Sequence, residues 1–120
     1  MITGGVTIYN YVMLIGNLVE DVDVRKAPNG SNVSTITLAV NRPYRNPKTD
    51  QIDTDFIDIS IWDELCDIAA TYLKKGSKVA VKGRLKVDKV TLDTGAIINK
   101  ISIVGERVIF LSSSNTKEEN

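Results

Sequence analysis

The 120-residue chain contains no histidine and a single cysteine, Cys66, and its 15 Lys and Arg balance 15 Asp and Glu to a formal net charge of zero. Each shortage removes a class of function. Without imidazole, the side chain most used for general acid-base work is missing, and no Gly-rich phosphate loop stands in for it. The acidic run from Asp50 to Asp67 repeats no familiar metal-ligand spacing, so we expect neither an enzyme nor a cofactor. A lone cysteine forms no internal disulfide, and Cys66 reads as a small core residue in a reducing compartment. No apolar stretch approaches the roughly 20 residues that cross a bilayer. The start Met1-Ile2-Thr3-Gly4-Gly5 carries no basic segment, the first cation being Arg25, so a cytosolic, non-membrane protein is expected.

What is present is apolar patterning: 42% of residues are hydrophobic, enough for one compact core at this length. In Asp55-Phe56-Ile57-Asp58-Ile59-Ser60-Ile61-Trp62 the isoleucines hold odd positions, while Phe56, Asp58, Ser60 and Trp62 hold even ones. Strand alternation therefore turns three isoleucines to the core and two large aromatics outward. Val79, Val81, Leu85 and Val87 repeat the pattern, leaving Lys82, Arg84 and Lys86 as a basic stripe on a second half-buried strand. Outward rings and cations suit stacked bases and phosphates.

Net neutrality hides a segregation of charge. Lys74, Lys75, Lys78, Lys82, Arg84, Lys86 and Lys89 share their stretch with Asp88 alone, whereas Asp50, Asp53, Asp55, Asp58, Asp63, Glu64 and Asp67 have no cation among them. A local field is set within a Debye length of about 8 to 10 Å, so a groove can be basic in a neutral protein.

Along the chain, residues Thr7 to Leu18 predict a long strand apolar on both faces, with Ile8, Val12, Leu14 and Leu18 on one and Tyr9, Tyr11, Met13 and Ile15 on the other. One face enters the core; the other calls for cover from another subunit. Pro28-Asn29-Gly30-Ser31 is a turn into a strand from Val33 to Arg42, followed by a polar loop from Pro43 to Thr54. Asp63 is placed to cap a short helix with an apolar stripe of Leu65, Ile68, Ala69, Tyr72 and Leu73, Lys74 and Lys75 in its last turn and Gly76 as its stop. A strand from Ser77 to Lys89, a hairpin turn at Asp93-Thr94-Gly95, and a strand from Ile97 to Val104 extended by Val108 to Leu111 complete the pattern. Gly16 and Gly83 fall inside strands, where a small barrel bends sharply.

Three strands, a helix and two more strands make an all-β chain with one helix, in the order of a five-stranded OB-fold barrel. Met13-Leu14-Ile15-Gly16-Asn17-Leu18, Ala27-Pro28-Asn29-Gly30, Ile36-Thr37-Leu38-Ala39-Val40-Asn41-Arg42-Pro43, Tyr72-Leu73-Lys74-Lys75-Gly76-Ser77 and Val81-Lys82-Gly83-Arg84-Leu85 resemble the bacterial single-stranded DNA-binding proteins, in order and spacing, from Tyr11 to Leu111. The resemblance implies a domain over residues 1–111 that binds single-stranded DNA without sequence preference or cofactor during replication, recombination and repair. It further implies a homotetramer and a cytoplasmic, nucleoid-associated protein. It places stacking aromatics at Tyr44, Phe56 and Trp62 and a fourth at Val90, where this chain has no ring. The cations beside them are Arg42, Arg45, Lys82, Arg84 and Lys86, while Lys48, Lys78 and Lys89 read as solvating residues and Tyr9 and Tyr11 as structural or intersubunit. Asp58 and Glu64 stand where basic residues are expected. Residues 112–120 form a short polar tail without the acidic Ile-Pro-Phe tip of longer members, so recruitment of repair or replication enzymes through such a tip is not expected. A second reading is a dimeric OB-fold replication-restart accessory that works with a helicase partner.

Overall fold

The computed structural model describes residues 9–112. Six strands and one helix follow in the order β1 (Val12–Leu18), β2 (Arg25–Lys26), β3 (Asn32–Arg45), β4 (Ile52–Trp62), α1 (Asp63–Tyr72), β5 (Lys78–Thr91) and β6 (Ile97–Ser112). Their sheet order is β1-β5-β6-β4-β3-β2, and β1 also pairs with β3, so five strands close into a barrel with the two-residue β2 at its rim. All pairings are antiparallel except β4 with β6, where Ile59 and Ser60 face Ile103 and Val104. This is the expected OB-type barrel. The expected beginning of β1 at Thr7 and Ile8, and the tail from residue 113 onward, lie outside the described residues.

Alternation fills the barrel. Leu18, Ile36, Leu38, Ile59, Ile61, Val79 and Val81 point inward and are essentially inaccessible, and each such side chain contributes about 1.5 to 3 kcal/mol on burial. Helix α1 closes one end with Cys66, Ala69 and the adjoining Leu73 in the same core. Burial, helped by the Asp67 and Asp63 carboxylates, pushes the Cys66 thiol up, so it stays a protonated core residue. Of the expected stripe, Ala69 and Leu73 are buried and Leu65 packs against the core, with Cys66 added to the line, whereas Ile68 and Tyr72 are exposed beside Val108 and Phe110.

Both helix ends differ from expectation. Trp62 occupies the N-cap position without a side-chain cap bond, and Asp63 is the first helical residue, at φ 52°. Asp63 and Glu64 still place negative charge in the first turn, where the helix dipole favours it. At the other end Leu73 turns extended so that its side chain enters the core, which leaves Lys74 and Lys75 outside the helix. There the Lys75 amide donates to Asp21 Oδ1 at 2.7 Å, and Gly76, at φ 91°, carries the reversal into β5.

Gly16 and Gly83 mark places where strands touch. A Cβ on Gly16 would overlap the Ala39 carbonyl oxygen at the β1–β3 closure, and one on Gly83 would overlap the Val104 carbonyl oxygen. Among the described residues, no helix is long and apolar enough to cross a membrane. Gly16→Ala and Gly83→Ala should each lower the unfolding free energy by about 1 to 3 kcal/mol, read as a lower urea midpoint at unchanged slope. Wild-type midpoints would mean that the strands can part there at no cost.

Candidate nucleic-acid interface

Strand β4 presents its even positions to the outside because its odd ones are taken by the core. Phe56 is 67% exposed and Trp62 40%, with Asp58 and Ser60 between them. Their partners on β3 are Ala39, Thr37, Thr35 and Val33, small or β-branched side chains that leave the rings open. Thr37 Oγ1 donates to Asp58 Oδ1 at 2.7 Å across this pair.

Tyr44 is 60% exposed and sits on strand, not in a loop. Half of the expected loop from Pro43 to Thr54 is an extension of the β3–β4 hairpin, with residues 46–51 as its turn. Cross-strand polar bonds replace the missing core: Thr54 Oγ1 donates to Asn41 Oδ1 at 2.7 Å, and Asn46 Nδ2 donates to Asp53 Oδ2 at 3.0 Å. Pro43 falls in the irregular stretch between Asn41 and Arg45, where no ladder bond is lost to it.

All five cations singled out from the sequence have partners within the protein. Arg42 grips Asp55 with two bonds, Nε to Oδ2 at 3.1 Å and a terminal nitrogen to Oδ1 at 3.0 Å, and lies 3.9 Å from Asp53. That fork holds the Asp55 carboxyl below the usual carboxylate range and raises the guanidinium in turn. Arg45 donates to the Asp50 carbonyl at 2.8 Å. Lys82 and Arg84 share Glu106, Arg84 Nε at 3.2 Å from Oε2, and the Lys82 hydrogen bond is the chief cause of a depressed Glu106 carboxyl. Lys86 lies 3.8 Å from Asp88. The basic stripe is therefore far less free than its sequence neighbourhood implied. Glu106 enters as the extra residue where the β5–β6 register shifts between Lys82 and Gly83.

The stripe is also divided. Lys82 lies beside Tyr11, Met13, Arg107 and Ile109, with Nζ 5.4 Å from the Tyr11 ring centre, so it belongs to the outer face of β1. Phe56 instead faces a cleft of about 560 Å³ whose far wall is Leu85, Ile101 and Ile103, with Lys100 among them. Leu85 and Val87, expected on the core face, are 42% and 59% exposed because β5 outruns the barrel beyond Gly83. Leu85, Ile101 and Lys100 were not read from the sequence as site residues, although the odd-position isoleucines of β6 carry the signal. Val90 is half-buried opposite Ile98 on that hairpin. Among the described residues, no group of three or more Cys, Asp or Glu is placed to hold a metal ion.

The model of the Single-strand binding protein family matches residues 9–111. A single-stranded DNA-binding protein of Helicobacter hepaticus is 36% identical over 113 residues, 93% of this chain and 66% of that protein. One of Bacillus cereus is 40% identical over 106 residues, 88% of this chain and 62% of its own length. The chain thus spans about two thirds of the length of these curated relatives. Among solved structures, a Plasmodium falciparum SSB in complex with ssDNA is similar at TM-score 0.72 and 28% identity, over 90% of this chain and 99% of that one.

Because the Asp55 carboxyl is depressed by Arg42, any stabilisation from the pair is present above the ordinary carboxylate range and is lost as pH falls through the lowered value. Arg42→Ala should move the Asp55 titration, followed by carboxyl-carbon NMR, to higher pH. An unmoved titration would show that the fork is open in solution.

Proposed function

The chain belongs to the single-strand binding protein family, and from that premise we propose that it binds and protects single-stranded DNA, with no recognition sequence, during replication, recombination and repair. The observation that carries the proposal is the outward pair Phe56 and Trp62, held beside an open cleft by a strand whose inner face is core. Every base has a π face, so such rings accept any sequence. In this reading Tyr44, Phe56 and Trp62 stack bases, while Arg42, Arg45, Arg84 and Lys86 exchange their internal partners for phosphates. Lys82, beside Tyr11, meets DNA only where the strand passes the edge of β1. The role is binding without catalysis, in the cytoplasm, at the nucleoid.

Assembly follows from the outer face of β1. Tyr9, Tyr11, Met13 and Ile15 are exposed, Tyr11 and Met13 next to Ile109, and the two tyrosine rings stack at 6.1 Å. Monomers rarely leave such a contiguous apolar surface to water, and a self-complementary contact between copies would cover it. We assign this face to subunit contact within a homotetramer.

Saturating oligo-dT should quench the emission of Trp62, and Phe56→Ala or Trp62→Ala should each weaken binding by about 1 to 3 kcal/mol. With roughly three to five phosphates neutralised per subunit, log affinity should fall against log salt with a slope of roughly −2 to −4. Unchanged emission in a complex shown by another method would remove Trp62 from the path. Light scattering should give four times the chain mass of 13.2 kDa. A stable dimer would favour the restart-accessory role, and a monomer would leave the β1 face unexplained.

A further inference from the structure

Asp58, like Asp50, Asp63 and Glu64, is a carboxylate near the interface that forms no ion pair among the described residues. Asp53, Asp55, Asp88 and Glu106 each lie against a cation, whereas Asp58 has no ion-pair partner among the described residues. It is nevertheless held in place, because Thr37 donates to Oδ1 and the Thr37–Asp58 register pair is fixed by the β3–β4 ladder. Oδ2 has no described partner. The carboxylate stands two residues from Phe56 on the same outward face, in the same cleft as Ser60 and Thr35, and the β5–β6 side of that cleft carries Leu85, Ile101 and Ile103 from one face of the ribbon and Lys100, whose register partner is Asp88, from the other. Lys100 likewise forms no ion pair among the described residues.

A carboxylate without a counter-ion is a poor neighbour for phosphate but a good acceptor for the exocyclic amine of a base. An unpaired ammonium across the cleft has the opposite preference. On the proposed DNA-binding reading, which this inference presupposes, we infer that the cleft is a nucleotide subsite: the base lies on Phe56 with its exocyclic amine donating to Asp58, and the adjoining phosphate goes to Lys100. Cytosine, with an N4 amine, fits this subsite; thymine presents a carbonyl oxygen to the carboxylate at the same ring position. The protein then has a bias in base composition, without a recognition sequence.

The test compares oligo-dT with an oligomer of 5-methyl-dC of equal length at neutral pH. The two bases share the 5-methyl group and a similar stacking surface, so the difference reads the base edge. The full chain should bind the 5-methyl-dC oligomer about threefold to tenfold more tightly. That is less than a buried bidentate contact provides, because Asp58 is solvent-exposed. Asp58→Asn keeps the size and the Thr37 contact but puts an amide donor where the free carboxylate oxygen was, and should bring the ratio to one or below while leaving oligo-dT bound at least as well. Lys100→Ala should weaken both oligomers equally and flatten the salt slope by about 0.7, with the ratio retained. Equal binding of the two oligomers by the wild type, or a ratio that survives Asp58→Asn, overturns the subsite and leaves DNA binding intact. Binding of neither oligomer overturns the functional proposal itself.

Discussion

Everything at the interface depends on three isoleucines. Ile59 and Ile61 are fully buried and Ile57 packs against the same core, so β4 has one register only. A slip by one residue would draw Asp58 and Ser60 into the barrel and push the isoleucines into water, a loss of several kcal/mol that no surface contact offsets. Because β4 pairs with β3 on one side and β6 on the other, it cannot relax by twisting away. Phe56 and Trp62 are exposed as the other half of that constraint.

The second constraint is electrostatic. Carboxylates come to the cations that would serve a phosphate backbone, from the neighbouring strand in Asp55 and Asp53 to Arg42 and Glu106 to Lys82 and Arg84, and from the same strand in Asp88 to Lys86. All of these pairs are partly exposed, and exposed pairs are worth about 0 to 1 kcal/mol. Their cations are thereby held in place without being strongly retained, and on the proposed function a phosphate oxygen would replace a carboxylate oxygen at nearly equal energy. Such an exchange would add little net affinity, and the proposed function then requires stacking on the aromatics to carry a larger share of binding than in a protein with a free basic groove. A net charge of zero is compatible with binding DNA on those terms.

Legibility in the sequence followed the range of the interaction. The alternation of β4, the turns at Gly30 and Gly95 and the helix between the third and fourth barrel strands are local, and residue type alone located them. The partner of Lys82 was not legible, because the facing position of Glu106 depends on one extra residue in β6, a register event that no residue type announces. Nor was the hairpin continuing from Arg42 through Arg45, since its polar residues read as loop until Asn41 with Thr54 and Arg42 with Asp55 are seen across the ladder. The helix stripe was right at Leu65, Ala69 and Leu73 and wrong at its edge, because Ile68 and Tyr72 are as apolar as the residues that are in fact buried while Cys66 takes the inward place. Only the barrel's open end determines which line turns inward.

Beyond Gly83, strands β5 and β6 keep their apolar alternation after the barrel has ended. Leu85, Val87, Ile97 and Ile101 share one face of the hairpin, and all four are exposed. A rule that assigns alternating apolar residues to the core is correct up to the last turn of the barrel and fails where a strand outruns it. The failure is informative, because a long two-stranded ribbon with an exposed apolar face is poorly stable in water on its own. Near the barrel that face meets the cleft of Phe56, where Leu85 and Ile101 form the wall opposite the ring. On the inferred subsite, a base entering there would meet the Phe56 ring and the aliphatic side chains of Leu85 and Ile101, with Asp58 lining the same cleft. On the inferred subsite, the part of the hairpin's apolar surface nearest the barrel and the exposed ring of β4 would line one slot.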